Sequence, residues 1–259
     1  MTMEELSPDQ QQQIERLPRE GPVPTHIAFI MDGNRRWAEN NDLSLEEGHR
    51  AGGQSAREIA RACGAVEGVE FLTFYAFSTE NWSRPDSEVE TLFELLDEFL
   101  QEELPRLHEE DIQFNCIGDI DELPDFLQQR LRRAREKTEK NRGLTVNMAL
   151  NYGGRDELVR AVRELVVEAE HDEISAADID ENLIGDHLDT ADQPDPDLLI
   201  RTSGEKRLSN FLLWQLAYTE LHFTERLWPE YELQDLLAAI SDYQGRTRRF
   251  GARTRSESS

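Results

Sequence analysis

The sequence predicts an α/β fold: a single domain on a central, mainly parallel six-stranded sheet flanked by helices. Three observations carry this expectation. Short apolar, β-rich runs recur at residues 26–31, 70–77, 112–117, 144–150 and 198–200, with a weaker one at 220–223. Helical periodicity fills the gaps at about 49–63, 86–108, 123–141, 155–170 and 232–249. The chain has 259 residues, 37% of them apolar, which is enough for one large core.

Taken in order, residues 1–20 read as a polar arm with at most one short helix, punctuated by GPVP at 21–24. Each later strand runs into a polar, glycine- or amide-rich turn: DGNRR, STENWSRP, GDID, NYGGR and RTSGE. In a parallel sheet those ends share one side, where ligands of α/β folds bind. The helix at 86–108 carries Val89, Leu92, Phe93, Leu95, Leu96, Phe99, Leu100, Leu104 and Leu107. That stripe is wider than one-sided packing needs. It reads either as a core helix covering the sheet or as the wall of an apolar tunnel for a hydrocarbon. QPDPD at 193–197 is a loop, and residues 252–259 form a polar tail behind a main domain at 21–251.

Composition narrows the partners. Asp and Glu total 54 against 28 Lys and Arg, a net charge of −26. Lys137, Lys140 and Lys206 are the lysines; every other formal cation is Arg. Such self-repulsion destabilises a compact chain unless salt screens it. The acids are spread along the chain, which favours adaptation to a salty cytoplasm over a tail for a basic partner. A surface this negative excludes nucleic acid as a partner. Cys63 and Cys116 form no C-x-x-C, so neither a zinc site nor a disulfide framework is expected. No apolar run approaches the ~18 residues of a membrane span, and the acidic start is no signal peptide, so a cytoplasmic protein is expected.

The chemistry-bearing residues sit at the strand ends. Asp32 fits a turn, but Arg35 and Arg36 follow it, and an arginine fork matches phosphate geometry. An acid beside phosphate-binding arginines suits Mg²⁺, which is held by one or two carboxylates plus phosphate oxygens. Arg201, Ser203 and Gly204, with Arg207 and Ser209 beyond, repeat the pattern of arginine among small residues. Ser78, Asn81, Trp82, Arg84 and Glu88 precede or open a helix; capping explains the acids but not Asn, Trp and Arg together. His49 reads first as a structural or exposed residue, while Gly52 and Gly53 in the same helix imply a close approach. No P-loop, dinucleotide fingerprint, nucleophile elbow or zincin motif is present, nor the D-D-x-x-D acids of helical trans-prenyl synthases.

MDGNRRW, GH at 48–49, YAFSTENWSRP, NYGGR and IRTSGEKRLSNFLLWQLAYTEL, in this order over about 26–251, resemble the cis-prenyltransferases, the undecaprenyl diphosphate synthase family. The resemblance implies a Mg²⁺-dependent homodimer that condenses isopentenyl diphosphate onto an allylic diphosphate primer and makes new cis double bonds. Asp32 would hold the metal, with Glu220 as the second carboxylate. Gly33, Asn34, Arg35, Arg36, Trp37 and His49 would form the allylic diphosphate site. Ser78, Asn81, Trp82 and Arg84 would position the reacting ends, with Glu88 in support. Arg201, Arg207 and Ser209 would hold isopentenyl diphosphate, joined by Arg249 and Gly251 across a dimer interface. Ala76 and Leu144 would line the chain tunnel. Asp32, Asn34, His49 and Asn81 are the expected catalytic residues, and the proton acceptor is Asp32, His49 or a diphosphate oxygen. Leu45 stands where many relatives have an arginine, Arg35 where a glycine is common, and Lys206 where a histidine is common. The acid-rich style suggests an archaeal-type enzyme primed by geranylgeranyl diphosphate, with farnesyl diphosphate as the other primer. The product would be a long polyprenyl diphosphate, a glycosyl-carrier precursor, handed over in transient membrane contact. The competing expectation is a non-catalytic partner subunit of the same fold.

Overall fold

A computed structural model describes residues 7–246. Six strands form one sheet: β1 (His26–Ile30), β2 (Phe71–Ser78), β3 (Gln113–Ile117), β4 (Thr145–Tyr152), β5 (Leu198–Arg201) and β6 (Glu220–Phe223). Their order is β3-β4-β2-β1-β5-β6, and every pairing is parallel. The six expected strands are all present, and the sheet is wholly rather than mainly parallel. β1 is protected along its whole length: all five of its residues are buried, as expected of a central parallel strand covered on both faces. Its alternation sends Ile27 and Phe29 into one apolar cluster and Ala28 and Ile30 into another.

Helices cover both faces: α1 (Pro8–Glu20), α2 (Asn34–Asn40), α3 (Leu45–Ala65), α4 (Asp86–Glu109), α5 (Asp125–Thr138), α6 (Gly154–Glu170), α7 (Glu181–Asp186) and α8 (Leu233–Gln244). One local result goes beyond the sequence reading, which allowed for a short helix in the arm but not for its burial, and another differs from it. Much of the supposed polar arm is α1, started by a Ser7 capping box. Its Ile14 and Leu17 are buried in the same cluster as Ile240 of α8. Polar composition hid this, because two apolar residues one turn apart suffice to dock a short helix. The DGNRR turn is also shorter than expected: Gly33, at φ +115°, caps α2, so Arg35 and Arg36 belong to its first turn. Seven residues are too few for periodicity to reveal. Of the segment expected to be helical to residue 249, α8 spans Leu233–Gln244.

The α3 helix begins at the Ser44–Glu47 capping box and lies against α2 at very close range. A side chain at Gly48 would meet the Asn34 carbonyl oxygen at 2.5 Å, and one at Gly52 would meet Asn34 Oδ1 at 2.5 Å. This is the close approach implied by the glycines. Gly53 faces Phe99 instead, at ordinary contact distance. At Ala76 the β2–β4 register shifts, since Tyr75 pairs with Ala149 but Phe77 with Leu150. Such a bulge leaves one residue unpaired and re-aims it.

Candidate active site

Asp32 follows β1 at the carboxyl edge of the sheet. Its backbone is clamped by buried Thr202, whose hydroxyl accepts from Asp32 N–H at 2.9 Å and donates to Asp32 C=O at 2.6 Å. Trp228 N–H also donates to that carbonyl, at 3.1 Å. The side chain meets Arg201, 3% exposed, whose Nη2 donates to Asp32 Oδ2 at 2.8 Å. The other arm of the fork, Nη1, donates to Ser209 Oγ at 2.8 Å and to the Arg207 carbonyl. Arg36 comes from α2 and donates to Ser203 O at 3.0 Å and Ser203 Oγ at 2.5 Å. It also stands 3.5 Å from Asp32 Oδ1. Segments from opposite ends of the chain thus meet because β1 and β5 are adjacent and in register, Ile30 beside Arg201.

A second cluster closes the opposite wall. Glu88 takes Arg35 at 2.7 Å and Arg84 at 3.0 Å. Burial would raise its carboxyl pKa, but these two guanidinium partners outweigh it and hold the group below its usual value. His49 lies between the clusters. Burial, with Arg84 and Arg35 nearby and Glu88 opposing, lowers it to about 4. Asn34 Nδ2 lies 3.4 Å from Nδ1 of the neutral ring, leaving Nε2 on its other side. That Nε2 and Asn34 Oδ1 are buried, and neither has a hydrogen-bond partner among the described residues.

These groups face a polar cavity of about 620 Å³ that takes in Asp32, Asn34, His49, Ser78, Asn81, Arg84, Arg201, Arg207 and Ser209. A smaller cleft of about 400 Å³ holds Gly33, Arg35, Arg36 and Glu88 beside it. Next to the polar cavity is a largely apolar one of about 330 Å³, where Leu92, Leu95, Leu96 and Phe99 of α4 face α3. Met31, Asn34, His49, Ala76 and Leu92 line both, so polar and apolar spaces share one wall.

Several expected residues fall elsewhere. Glu220 opens β6 in register with Leu198, which pairs with Ile27 of β1. It therefore lies at the amino edge of the sheet, three strand positions or roughly 10 Å below the level of Arg201, and accepts from Arg246 at 2.9 Å. Within this chain it is not a partner of Asp32; sequence offered no register for a four-residue edge strand. Leu144 is buried in the core cluster rather than on the cavity wall. Trp82 packs edge-on against Phe77 and Phe93, and neither it nor Trp37 lines these cavities. Arg249 and Gly251 lie outside the described residues.

Other residues do structural work that the motifs only hinted at. Asn151, in a left-handed conformation at φ +46°, accepts the Trp82 indole N–H at 2.7 Å and so fastens the 3₁₀ turn Thr79–Ser83. Gly153 lets Asn210 approach and Gly154 lets Leu213 approach, and Gly154 N–H donates to Asn210 O at 2.6 Å. Asn210 in turn donates to Glu80 at 3.0 Å. NYGGR is thus the joint between the Ser78–Arg84 loop and the Arg207–Ser209 loop. Thr202 gave no sequence signal beyond its place beside Arg201.

A divalent cation fits the donor set without being enclosed by it. Among the described residues no group of three or more His, Cys, Asp or Glu side chains is gathered for a metal. Asp32, 30% exposed at its side chain, is an oxygen donor open to a phosphate-sized cavity. Mg²⁺ is commonly held this way, by one carboxylate and substrate phosphates.

The comparisons agree with this architecture. A family model described as "Putative undecaprenyl diphosphate synthase" matches residues 30–251. An isoprenyl transferase from Clostridium tetani is 47% identical over 229 residues, 88% of this chain and 89% of that protein. One from Heliobacterium mobile is 50% identical over 229 residues, 88% of each. Lavandulyl diphosphate synthase from Lavandula x intermedia, crystallised with dimethylallyl diphosphate, superposes with a TM-score of 0.86 at 39% identity, covering 88% of this chain and 98% of that one. A probable undecaprenyl diphosphate synthase from Campylobacter jejuni gives 0.74 at 33% identity, with 88% and 98% covered. These relatives are bacterial or plant and lend no support to an archaeal-type assignment. With one family matched from the first strand onward and relatives near half identity over most of both chains, this chain belongs to the undecaprenyl diphosphate synthase family and is a cis-prenyltransferase.

Proposed function

We propose that the protein extends an allylic diphosphate primer with isopentenyl diphosphate units, in a Mg²⁺-dependent reaction, to a long polyprenyl diphosphate. The observation that carries this reading is the shared wall between an arginine-lined polar cavity and an apolar one. A diphosphate head and a hydrocarbon tail need that adjacency. The plant relative crystallised with dimethylallyl diphosphate supports an allylic diphosphate as one ligand.

In this reading Arg35, Arg36, Arg84, Gly33 and Asn34 bind the allylic diphosphate, and Arg201, Arg207 and Ser209 bind isopentenyl diphosphate. Asp32 is the residue that would hold Mg²⁺, which when bound neutralises diphosphate charge. The allylic C–O bond breaks, its electron pair leaving with the diphosphate. The isopentenyl double bond supplies the pair for the new C–C bond, and one isopentenyl proton departs. Fixed guanidinium groups stabilise the charge that grows on the leaving oxygens. His49, lowered to about 4 chiefly by burial, is a weak base. Asp32 is engaged by Arg201, which occupies its Oδ2. A diphosphate oxygen therefore takes the proton. A homodimer, geranylgeranyl or farnesyl diphosphate as primer, and brief membrane contact on product release complete the proposal; no described helix is long and apolar enough to cross a membrane.

The test is incorporation of labelled isopentenyl diphosphate by purified protein with Mg²⁺, high salt and either primer. Butanol-extractable label is the expected result. No incorporation alone, with incorporation restored by a second protein, would replace this reading with the partner-subunit one.

A further inference from the structure

We infer that the hydrogen bond between Asn210 and Glu80 is a strut that couples the two diphosphate sites, so that a ligand in one raises affinity in the other; this rests on the function proposed above. Both residues line the polar cavity, but they belong to different walls. Glu80 lies in the Thr79–Ser83 turn beside Asn81. Asn210 follows Ser209, whose hydroxyl accepts from Arg201. Asn210 is the positioning residue of the pair.

It is held at three points. Its carbonyl accepts Gly154 N–H at 2.6 Å, and its Oδ1 accepts Arg155 N–H at 2.9 Å. Those are the first two N–H groups of α6, whose own N-cap, Gly153, has no side chain to offer them. Its Nδ2 then reaches across to Glu80 Oε1 at 3.0 Å. Gly153 makes room for the crossing: a Cβ there would stand 2.7 Å from both Asn210 Nδ2 and Thr79 Oγ1. Burial disfavours the Glu80 carboxylate, but hydrogen bonds from its own backbone N–H, Asn210, Ser78 and Thr79 outweigh it and hold the carboxyl below its usual value. The strut is therefore a charge-assisted bond.

The loop that Asn210 anchors is not at rest by itself. Ser209, Asn210 and Leu212 are all left-handed, at φ +49°, +62° and +44°. Asparagine tolerates that conformation; in serine and leucine it is strained and persists only while neighbours hold it. The strained stretch presents the Arg207 carbonyl and the Ser209 hydroxyl to Arg201, so its conformation sets the isopentenyl diphosphate wall. Releasing Asn210 from Glu80 lets that wall drift. A ligand that fixes the Ser78–Arg84 wall fixes Glu80 with it, and the second ligand then has less ordering left to do. By linkage the effect is equal in the other direction.

Calorimetry reads the coupling directly. The ligands are isopentenyl diphosphate and a thio-bridged farnesyl diphosphate analogue, whose C–S bond resists ionisation, with Mg²⁺ present. In the wild type the analogue should raise affinity for isopentenyl diphosphate about fivefold or more, the lower end of coupling between sites. Asn210→Asp keeps the left-handed backbone and the acceptor for Arg155 N–H, but it loses the donor and sets a second carboxylate against Glu80. Coupling should vanish. Asn210→Asp combined with Glu80→Gln has the wild-type net charge and the same bond reversed, and coupling should return. In turnover the KM for isopentenyl diphosphate should rise in the single variant, with kcat changed far less, and recover in the double variant. Independent binding in the wild type, or coupling that survives Asn210→Asp, overturns the inference and leaves the proposed function standing. A loss that the double variant does not restore reduces Asn210 to a cap of α6 and also overturns it. A wild type that binds neither ligand removes the proposed function and the strut together.

Discussion

At Arg201 one guanidinium joins three parts of the site: the Asp32 carboxylate, the Ser209 hydroxyl and the Arg207 carbonyl. Because Arg201 is 3% exposed, its charge depends on Asp32 for compensation. Asp32→Asn keeps an acceptor for Arg201 but removes the negative charge available to a metal. We expect kcat/KM to fall by about 10²–10³-fold, the loss typical of a lost electrostatic contact in catalysis, with the circular dichroism spectrum unchanged. Near-normal turnover would show that the carboxylate charge is not needed. His26 is a different kind of polar residue, buried for structure. It bridges the Pro194 carbonyl and the Thr73 hydroxyl, each at 2.7 Å, and burial lowers it to about 4, with Pro194 and Asp197 opposing. The unfolded chain, near 6.5, binds this proton more tightly, so stability falls as pH drops from 6.5 toward 4. Fully developed, the difference is on the order of 3 kcal/mol. His49 acts in the same direction, whereas His187, raised by Glu168, loses stability only above 6.5 and adds no slope here. Urea unfolding at pH 6.5 and 5 should show a shallower loss for His26→Gln than for wild type; equal slopes would remove His26 from the account.

At the scale of elements, the α2–α3 contact illustrates what a sequence discloses and what it withholds. Gly48 and Gly52 announced a close approach, but only the fold shows that Asn34 is what approaches. A methyl group at Gly52 would sit 2.5 Å from Asn34 Oδ1, so Gly52→Ala must push α2 from α3 or rotate Asn34 away from His49. Overpacking of this kind costs about 1–3 kcal/mol, and a matching drop in the urea midpoint with impaired turnover is expected. Full stability with full turnover would mean that Asn34 has room to move. The strands were legible because each is a short apolar run closed by turn residues, and β1 is buried along its whole length. The carboxyl-edge cluster was legible for the same reason, since Asp32 and Arg201 each follow a recognisable strand. The position of Glu220 within the chain was not legible because a four-residue edge strand such as β6 carries no periodicity with which to fix its register. α2 and the docking of α1 were hidden by length and polarity: they depend on Ala38 and on Ile14 and Leu17, too few residues to form a pattern.

Over the whole molecule the governing quantity is a net charge of −26. Salt acts on it in two opposing ways. Screening weakens attractive ion pairs, among them Arg50–Glu98 at 2.6 Å and Arg61–Glu110 at 3.1 Å, which stitch α3 to α4. Pairs as exposed as Arg50–Glu98 are worth about 0–1 kcal/mol each, and their loss is limited by that ceiling. Screening also relieves repulsion among the surplus acids, which involves every near neighbour on the surface rather than chosen pairs. The Debye length falls from about 10 Å at 0.1 M to about 3 Å at 1 M, so most of this relief comes below 1 M. With about two acids for every formal cation, 54 against 28, the repulsive side is the larger. The urea midpoint should therefore rise between 0.05 and 1 M KCl, on the order of tens of millimolar to molar salt where screening changes, and flatten above it. Sucrose strengthens burial without screening charge and should not reproduce the steep early rise. A midpoint that falls with KCl, or rises equally in sucrose, would show that the acid excess is carried without strain at low salt.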